Sequence, residues 1–467
     1  MRKLMIESTS SHRSIIYFLL ILIFCFPLLL QGQALGIKSF SGSSPAVFSS
    51  FCRTDDGGFL AVGYMQGSGG APVETALEGS NYDALVVKFN SFSEIEWQKT
   101  YGKDGDDLAY SITATEDGNY IVVGETYSFG AQKDDMLIFK INSNGTLLWA
   151  RKLGGSDEDW AVDVKQDNDG GYLILGNNKG GATCAESSSG YQVVMLELDE
   201  NGYLLWQKSY DGDGDEIAYA LMKTTKGEFL AAGSTTSFGN GSSDGFVMKT
   251  DGGGVIKWQK FYGTSQSDYL YFLGQAADGG YLAVGETSLK ERGTESNAWA
   301  VRLDDNGGDN WQRAYGNAAN DYALGLTSSG KHGFIIVGGS AASSTQNESW
   351  ALKVDWSGKP MWRKRYNIGS NGTLFNVRKF DGDRLLFLGK SGLSDSAYPF
   401  IASTDKRGSV GTCSVIDESS ISNKWISSGS GIASFVVGDP ALTMKGLMDD
   451  ISVGSPGLSG ESVCPPR

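Results

Sequence analysis

Five acidic residues recur at one place in a long repeat. Asp107, Asp159, Glu216, Asp268 and Asp321 each stand six residues after Tyr101, Leu153, Tyr210, Tyr262 and Tyr315. Carboxylates gathered around an axis suit Ca²⁺ or another hard cation, which takes six to eight oxygen ligands. The other reading is local, since a turn Asp or Glu accepts backbone N–H bonds and a residue that recurs once per unit needs a reason within each unit. Turn capping supplies that reason, so the five are candidate metal ligands weighed against candidate caps. Asp83, Asp135, Asp244 and Glu348 precede a later strand of the same units and belong to the same face.

Other chemistry finds little support. The two histidines are His12, near the start, and His332, in the turn SGKHGF. No Cys-x-x-Cys-His or His-Glu-x-x-His run is present, and the Gly-x-Ser-x-Gly match GSSDG at 241–245 precedes a strand with no helical period after it, so there is no nucleophile elbow. The acidic run at 211–216, DGDGDE, lacks the glycine at loop position six and the glutamate at position twelve that an EF-hand requires. A net charge of −15, with no basic patch interleaved with aromatics, repels phosphate backbones and argues against nucleic acid as a partner.

The elements that must position these carboxylates come from a unit of about fifty residues written seven times. Its first line reads DGGFLAVGYM (56–65), DGNYIVVGET (117–126), DGGYLILGNN (169–178), KGEFLAAGST (226–235), DGGYLAVGET (278–287), HGFIIVGGSA (332–341) and GDRLLFLGKS (382–391). A second line sets Trp97, Trp149, Trp206, Trp258, Trp311 and Trp362 in corresponding places. Each unit holds four short stretches rich in Ile, Val and Tyr. They are separated by Asp-Gly hairpin signals and by Asp/Asn-x-x-Gly turns such as Asn142 to Gly145 and Asp199 to Gly202. No 3.6-residue apolar period is present. The expected fold is all-β, a seven-bladed β-propeller of four-stranded antiparallel blades. Residues 35–51 align with 96–112, which makes 36–41 an outer strand with no inner strands before it. It should pair with 399–404 in the seventh blade and close the ring, removing an exposed edge.

Arg2, Lys3 and Arg13 precede an apolar run from Ile15 to Leu30, with Gly32 and Ala34 in a signal-peptidase pattern. That run is shorter than the about 20 residues a bilayer span needs. The expected organisation is a signal peptide at 1–34, the propeller at 35–413 and a Ser/Gly-rich tail at 414–467, read as an appended strand or loose clamp. The chain would then be secreted, periplasmic or at the cell surface, with no stable membrane span after cleavage. In such compartments disulfides persist. Cys413 and Cys464 bracket the tail and are expected to bond, while Cys52 and Cys184 stay apart.

The succession WQKTYG, then D.A.SI.AT, then DGGYIVVGET and NG.LLWQK resembles secreted bacterial and archaeal repeat propellers of unknown function whose chains begin in an outer strand. The Asp-x-x-Gly-x-x-x-Trp element is similar to the tryptophan-docking repeat of pyrroloquinoline-quinone propellers. The resemblance implies a fold and little about activity, since one fold hosts many functions. The repeated tryptophans are themselves read as packing between blades. Connections 64–82 and 177–191 vary most between units, and variable loops on a rigid frame are where recognition resides. The leading expectation is an exported, non-catalytic propeller that binds a protein or glycan through loops on one face. The alternative is a metal-dependent hydrolase or lyase acting at the acidic mouth of the channel.

Overall fold

The computed structural model describes residues 35–41, 44–66, 82–103, 105–131, 133–179, 190–288, 296–316, 320–343, 346–366, 368, 371–380, 383–392 and 397–410. It also describes the backbone of six short strands between 415 and 462. Of seven antiparallel sheets, six take four consecutive strands: blade 1 at 46–102, blade 2 at 107–154, blade 3 at 159–211, blade 4 at 216–262, blade 5 at 268–316 and blade 6 at 320–366. Blade 7, at 373–404, is completed by 36–41. The first strand of each blade touches the first strand of the next, and blade 7 touches blade 1.

Closure follows the expected register. Gly36–Ser41 pairs antiparallel with Tyr398–Thr404, Gly36 opposite Ser403 and Ile37 opposite Ala402. Lys38 Nζ donates to the carbonyls of Phe92 and Ser93 at 2.9 and 3.2 Å. Lys99, its counterpart in blade 1, donates to Asn144 and Gly145 at 2.8 and 3.0 Å. The N-terminal strand therefore does for the seam between blades 7 and 1 what a fourth strand does elsewhere.

Second and third strands run apolar because both faces of a blade are covered by neighbours. In Tyr120–Thr126 all but Glu125 are buried. Each seam has its own core, such as Phe40, Phe48, Phe59, Phe89, Leu386 and Ile401 between blades 7 and 1. The fourth-strand tryptophans fasten the seams from outside. The indole N–H of Trp97, Trp258 and Trp311 donates to a carbonyl in the third turn of the next blade, at 3.2, 3.0 and 2.9 Å. The ring of Trp97 lies against Gly145, whose φ of +69° suits glycine and whose missing Cβ leaves room for the indole. Four residues on, the hydroxyls of Tyr101, Tyr210, Tyr262 and Tyr315 donate to the carbonyls of Gly145, Gly254, Gly307 and Gly358 at 2.6 to 2.7 Å. The tryptophans thus pack between blades, as the sequence suggests.

The tail departs from the expected single strand or loose clamp. Val415–Glu418 pairs with the outer strand of blade 6, Ser422–Trp425 with blade 5, Val436–Gly438 with blade 3 and Thr443–Gly446 with blade 2. Ser452–Gly454 pairs with blade 1 and Ser459–Ser462 with the closing strand of blade 7. The tail therefore runs round the ring against the order of the blades, giving a fifth strand to every blade but the fourth among the described residues. An outer edge offers unpaired N–H and C=O groups to any extended backbone. Such pairing asks for no apolar period, which is why the Ser/Gly-rich sequence conceals it. Cys184, Cys413 and Cys464 lie outside the described residues, as do residues 1–34; Cys52 is a free thiol.

Candidate functional site

The five repeated carboxylates open the first strands of blades 2 to 6, all at one end of the ring, and all are buried. They do not converge. Asp107 accepts from the N–H of Lys103 at 2.8 Å, from the Ser128 hydroxyl at 2.9 Å and from Thr126. Asp159 accepts from the N–H of Gly155 at 2.6 Å and from Asn178. Glu216 accepts from the N–H of Gly212 at 2.7 Å and Thr235 at 2.8 Å, and Asp268 from the N–H and hydroxyl of Thr264 at 2.6 and 2.9 Å. Asp321 takes Ser340 and, at 3.1 Å, the Arg363 guanidinium. Each one clasps the connection from the preceding blade, its own second strand, or both. Among the described residues no group of three or more His, Cys, Asp or Glu side chains could hold a metal ion.

Third-strand acids complete these seams. A Cβ on Gly102 would overlap both Asp83 and Asp107, and one on Gly263 both Asp244 and Asp268. Burial, aided by the charge of Asp83, pushes Asp107 up to about 6. Asp159 rises to about 6 by burial beside Asp135, and Asp244 to about 6 by burial beside Asp268.

The channel is lined by other residues. Every first strand carries a β-bulge at one position, where an extra residue stands unpaired against the second strand: Ser49, Tyr110, Val162, Tyr219, Tyr271, Leu324 and Phe375. A bulge re-aims its side chain. All seven line one central cavity of about 460 Å³. The bulge also explains the glycine in the middle of each second strand. A Cβ at Gly63, Gly124, Gly233, Gly285 or Gly338 would overlap the carbonyl of Val47, Leu108, Ile217, Tyr269 or Tyr322, two residues before the bulge. Glycine inside a strand signals close backbone approach, and this was the mark in the sequence that could have located the site.

The wall is aromatic and polar together. Tyr219 meets Tyr271 edge-on with centroids 5.1 Å apart, and Tyr269 stacks on Tyr271 at 6.0 Å. The Tyr271 hydroxyl donates to Glu286 at 2.7 Å, and Tyr110 hydrogen-bonds Glu125. Asn376 is buried on the wall, and its Oδ1 has no hydrogen-bond partner among the described residues. A side pocket of about 330 Å³ at the mouth holds Tyr110, Trp160, Tyr219, Glu125, Asp134 and Glu158. Burial raises Glu125 to about 7, with Asp134 and Asp106 adding to the shift against the Tyr110 hydrogen bond. Glu158 is held below its ordinary value by the Tyr191 hydroxyl and Lys179. The variable connections at 67–81 and 180–189 lie outside the described residues.

No protein-family model and no curated protein matches the chain. Solved structures similar in chain path include a protein of unknown function from Dyadobacter fermentans, 11% identical over 79% of this chain and 99% of that one, with a TM-score of 0.41. Another is an α-L-arabinofuranosidase from Fusarium graminearum, 9% identical over 80% and 98%, with a TM-score of 0.42. Likeness at this level carries no argument about activity, and the fold rests on the strand order and registers above.

Proposed function

We propose that this chain is an exported, non-catalytic propeller that binds a saccharide in its central channel. The observation that carries the reading is the ring of bulged residues, which turns Tyr110, Tyr219, Tyr271 and Phe375 onto one cavity. Sugars present C–H faces to aromatic rings and hydroxyls to polar groups, and a concave site with a few convergent polar groups is the usual form of a ligand pocket. The unpartnered Asn376 Oδ1 is an acceptor suited to a sugar hydroxyl. The test is a glycan array followed by calorimetry on the best ligand. Tyr271→Ala should weaken binding about fivefold to tenfold, the worth of one aromatic contact. Equal affinity in wild type and variant would reject the channel as the site.

A second reading is favoured by one observation. Glu125, raised to about 7, stands in the mouth pocket with Glu158, which is held ionised. Two carboxyl groups pushed apart in this way match the acid and base of glycoside hydrolysis. Under this reading, Glu125→Gln abolishes release of reducing ends from a bound glycan while leaving its affinity intact. Under the binding reading, the wild type releases none.

A further inference from the structure

The charges on the cavity wall are unbalanced in a way that the acidic composition of the chain conceals. Its titratable wall residues include Lys165, Arg378 and Lys390, and a single carboxylate, Asp163. That carboxylate is engaged by Lys165 at 2.6 Å and by the Ser111 hydroxyl, also at 2.6 Å. Arg378 and Lys390 are left without an ion-pair partner among the described residues. Both belong to blade 7. Lys390 pairs in register with Thr373, at the start of the first strand, and Arg378 with Leu386, near its end. The two cations therefore stand at two depths of one channel. Lys390 lies over the ring of Phe375 at 5.7 Å, so an anion bound there also meets an aromatic face. Burial lowers Lys390 with no nearby carboxylate to raise it again. Arg378 is exposed to the channel and feels the charge of Asp163, which Lys165 already engages, while the half-buried Lys390 has no carboxylate near it among the described residues, so a ligand carboxylate would supply the counter-charge that Lys390 lacks.

We propose that the channel selects acidic oligosaccharides of the uronic-acid type, whose carboxylates pair with Lys390 and Arg378 while the sugar rings rest on Phe375, Tyr219 and Tyr271. This rests on the saccharide reading above and narrows it. Two cations at separate depths favour a ligand with more than one carboxylate, because a single group at one level leaves the other cation unpaired. Asn376, between them in the register of the ladder and on the same wall, offers its acceptor to a hydroxyl. Glu125 and Glu286, by contrast, belong to blades 2 and 5 at the mouth.

The experiment is calorimetry of the full chain with oligosaccharides of galacturonate, glucuronate and mannuronate, each beside its carboxyl-reduced counterpart of the same backbone. At least one acidic form should bind about tenfold or more tightly than its reduced form, as expected for a charge-assisted hydrogen bond. Arg378→Gln with Lys390→Gln should erase that preference, bringing the acidic form's affinity down to that of its reduced counterpart. A wild-type measurement needs no variant: added sodium chloride should weaken the acidic ligand and spare the reduced one. Equal binding of acidic and reduced forms overturns the proposal and leaves the saccharide reading standing. Binding of neither form, with no hit among neutral glycans, overturns both.

Discussion

Asp107 and Glu125 stand almost side by side at the same end of the ring, and they do opposite work. Asp107 pairs with Thr126 and Leu108 with Glu125, so the two acids belong to adjacent positions of one ladder. Successive side chains of a strand point to opposite faces. Asp107 is buried in the seam, while Glu125 lines the pocket at the mouth. The seam residue recurs in blades 2 to 6 as Asp107, Asp159, Glu216, Asp268 and Asp321. The channel position changes in every copy but one pair, reading Tyr64, Glu125, Asn177, Ser234, Glu286, Gly339 and Lys390. What repeats holds the ring together; at the varying position Tyr64 and Lys390 line the cavity and Glu125 the mouth pocket, while Asn177 bonds the backbone of Ala218 in the next blade.

The largest effect should come from breaking the frame. Removing residues 36–41 takes away the partner of both Tyr398–Thr404 and Ser459–Ser462, opening the ring at its closure. Cooperative melting should be lost or the midpoint should fall further than for any point substitution; a deletion variant that melts like wild type would mean the ring closes another way. Next is the bulge. Gly285→Val puts a side chain against the Tyr269 carbonyl and should cost about 2–3 kcal/mol by overpacking. Gly279→Ala meets open space and only a left-handed φ of +92°, so it should cost about 1 kcal/mol. Denaturant melts that rank these two the other way would argue against the bulge as the reason for the repeated glycine.

A smaller effect separates the seam acids by pH. The folded values of Asp107, Asp159 and Asp244, about 6, lie above the ordinary carboxylate range. Their contribution is thus fully present below about pH 4 and is lost as pH rises through about 6. Wild type should melt higher at about pH 5 than at pH 7. Asp107→Asn, neutral throughout, should flatten part of that slope; an unchanged slope would show that Asp107 is ionised without penalty. The smallest effect concerns calcium. Because the five carboxylates are already engaged by backbone and side-chain donors, melting in millimolar calcium and in chelator should coincide within about a degree, and a clear calcium-dependent rise would show that they bind the cation.

The frame was legible because repetition betrays it. Seven copies of one line, a tryptophan at one place and an orphan outer strand at 36–41 lead to the blade count and the closure. The channel was not legible by alternation, because the bulge at Tyr110, Tyr219 or Tyr271 inserts one residue and shifts the facing of those that follow. Asp107 and its counterparts suggest the mouth because they stand at the start of the innermost strand, whereas each is buried and bonded to its own blade, the connection before it, or both. The tail was hidden for a different reason, since its strands pair through backbone alone.

Melting and ligand affinity measured together on Asp107→Ala and Tyr271→Ala would test most directly whether seam and channel divide the labour. Asp107→Ala leaves the buried hydroxyls of Thr126 and Ser128 and the N–H of Lys103 without their acceptor and should cost about 1–3 kcal/mol of stability, with the dissociation constant of the folded protein unchanged. Tyr271→Ala should weaken saccharide binding with a much smaller change in midpoint. Loss of affinity in Asp107→Ala, or unaltered affinity in Tyr271→Ala, would contradict the division.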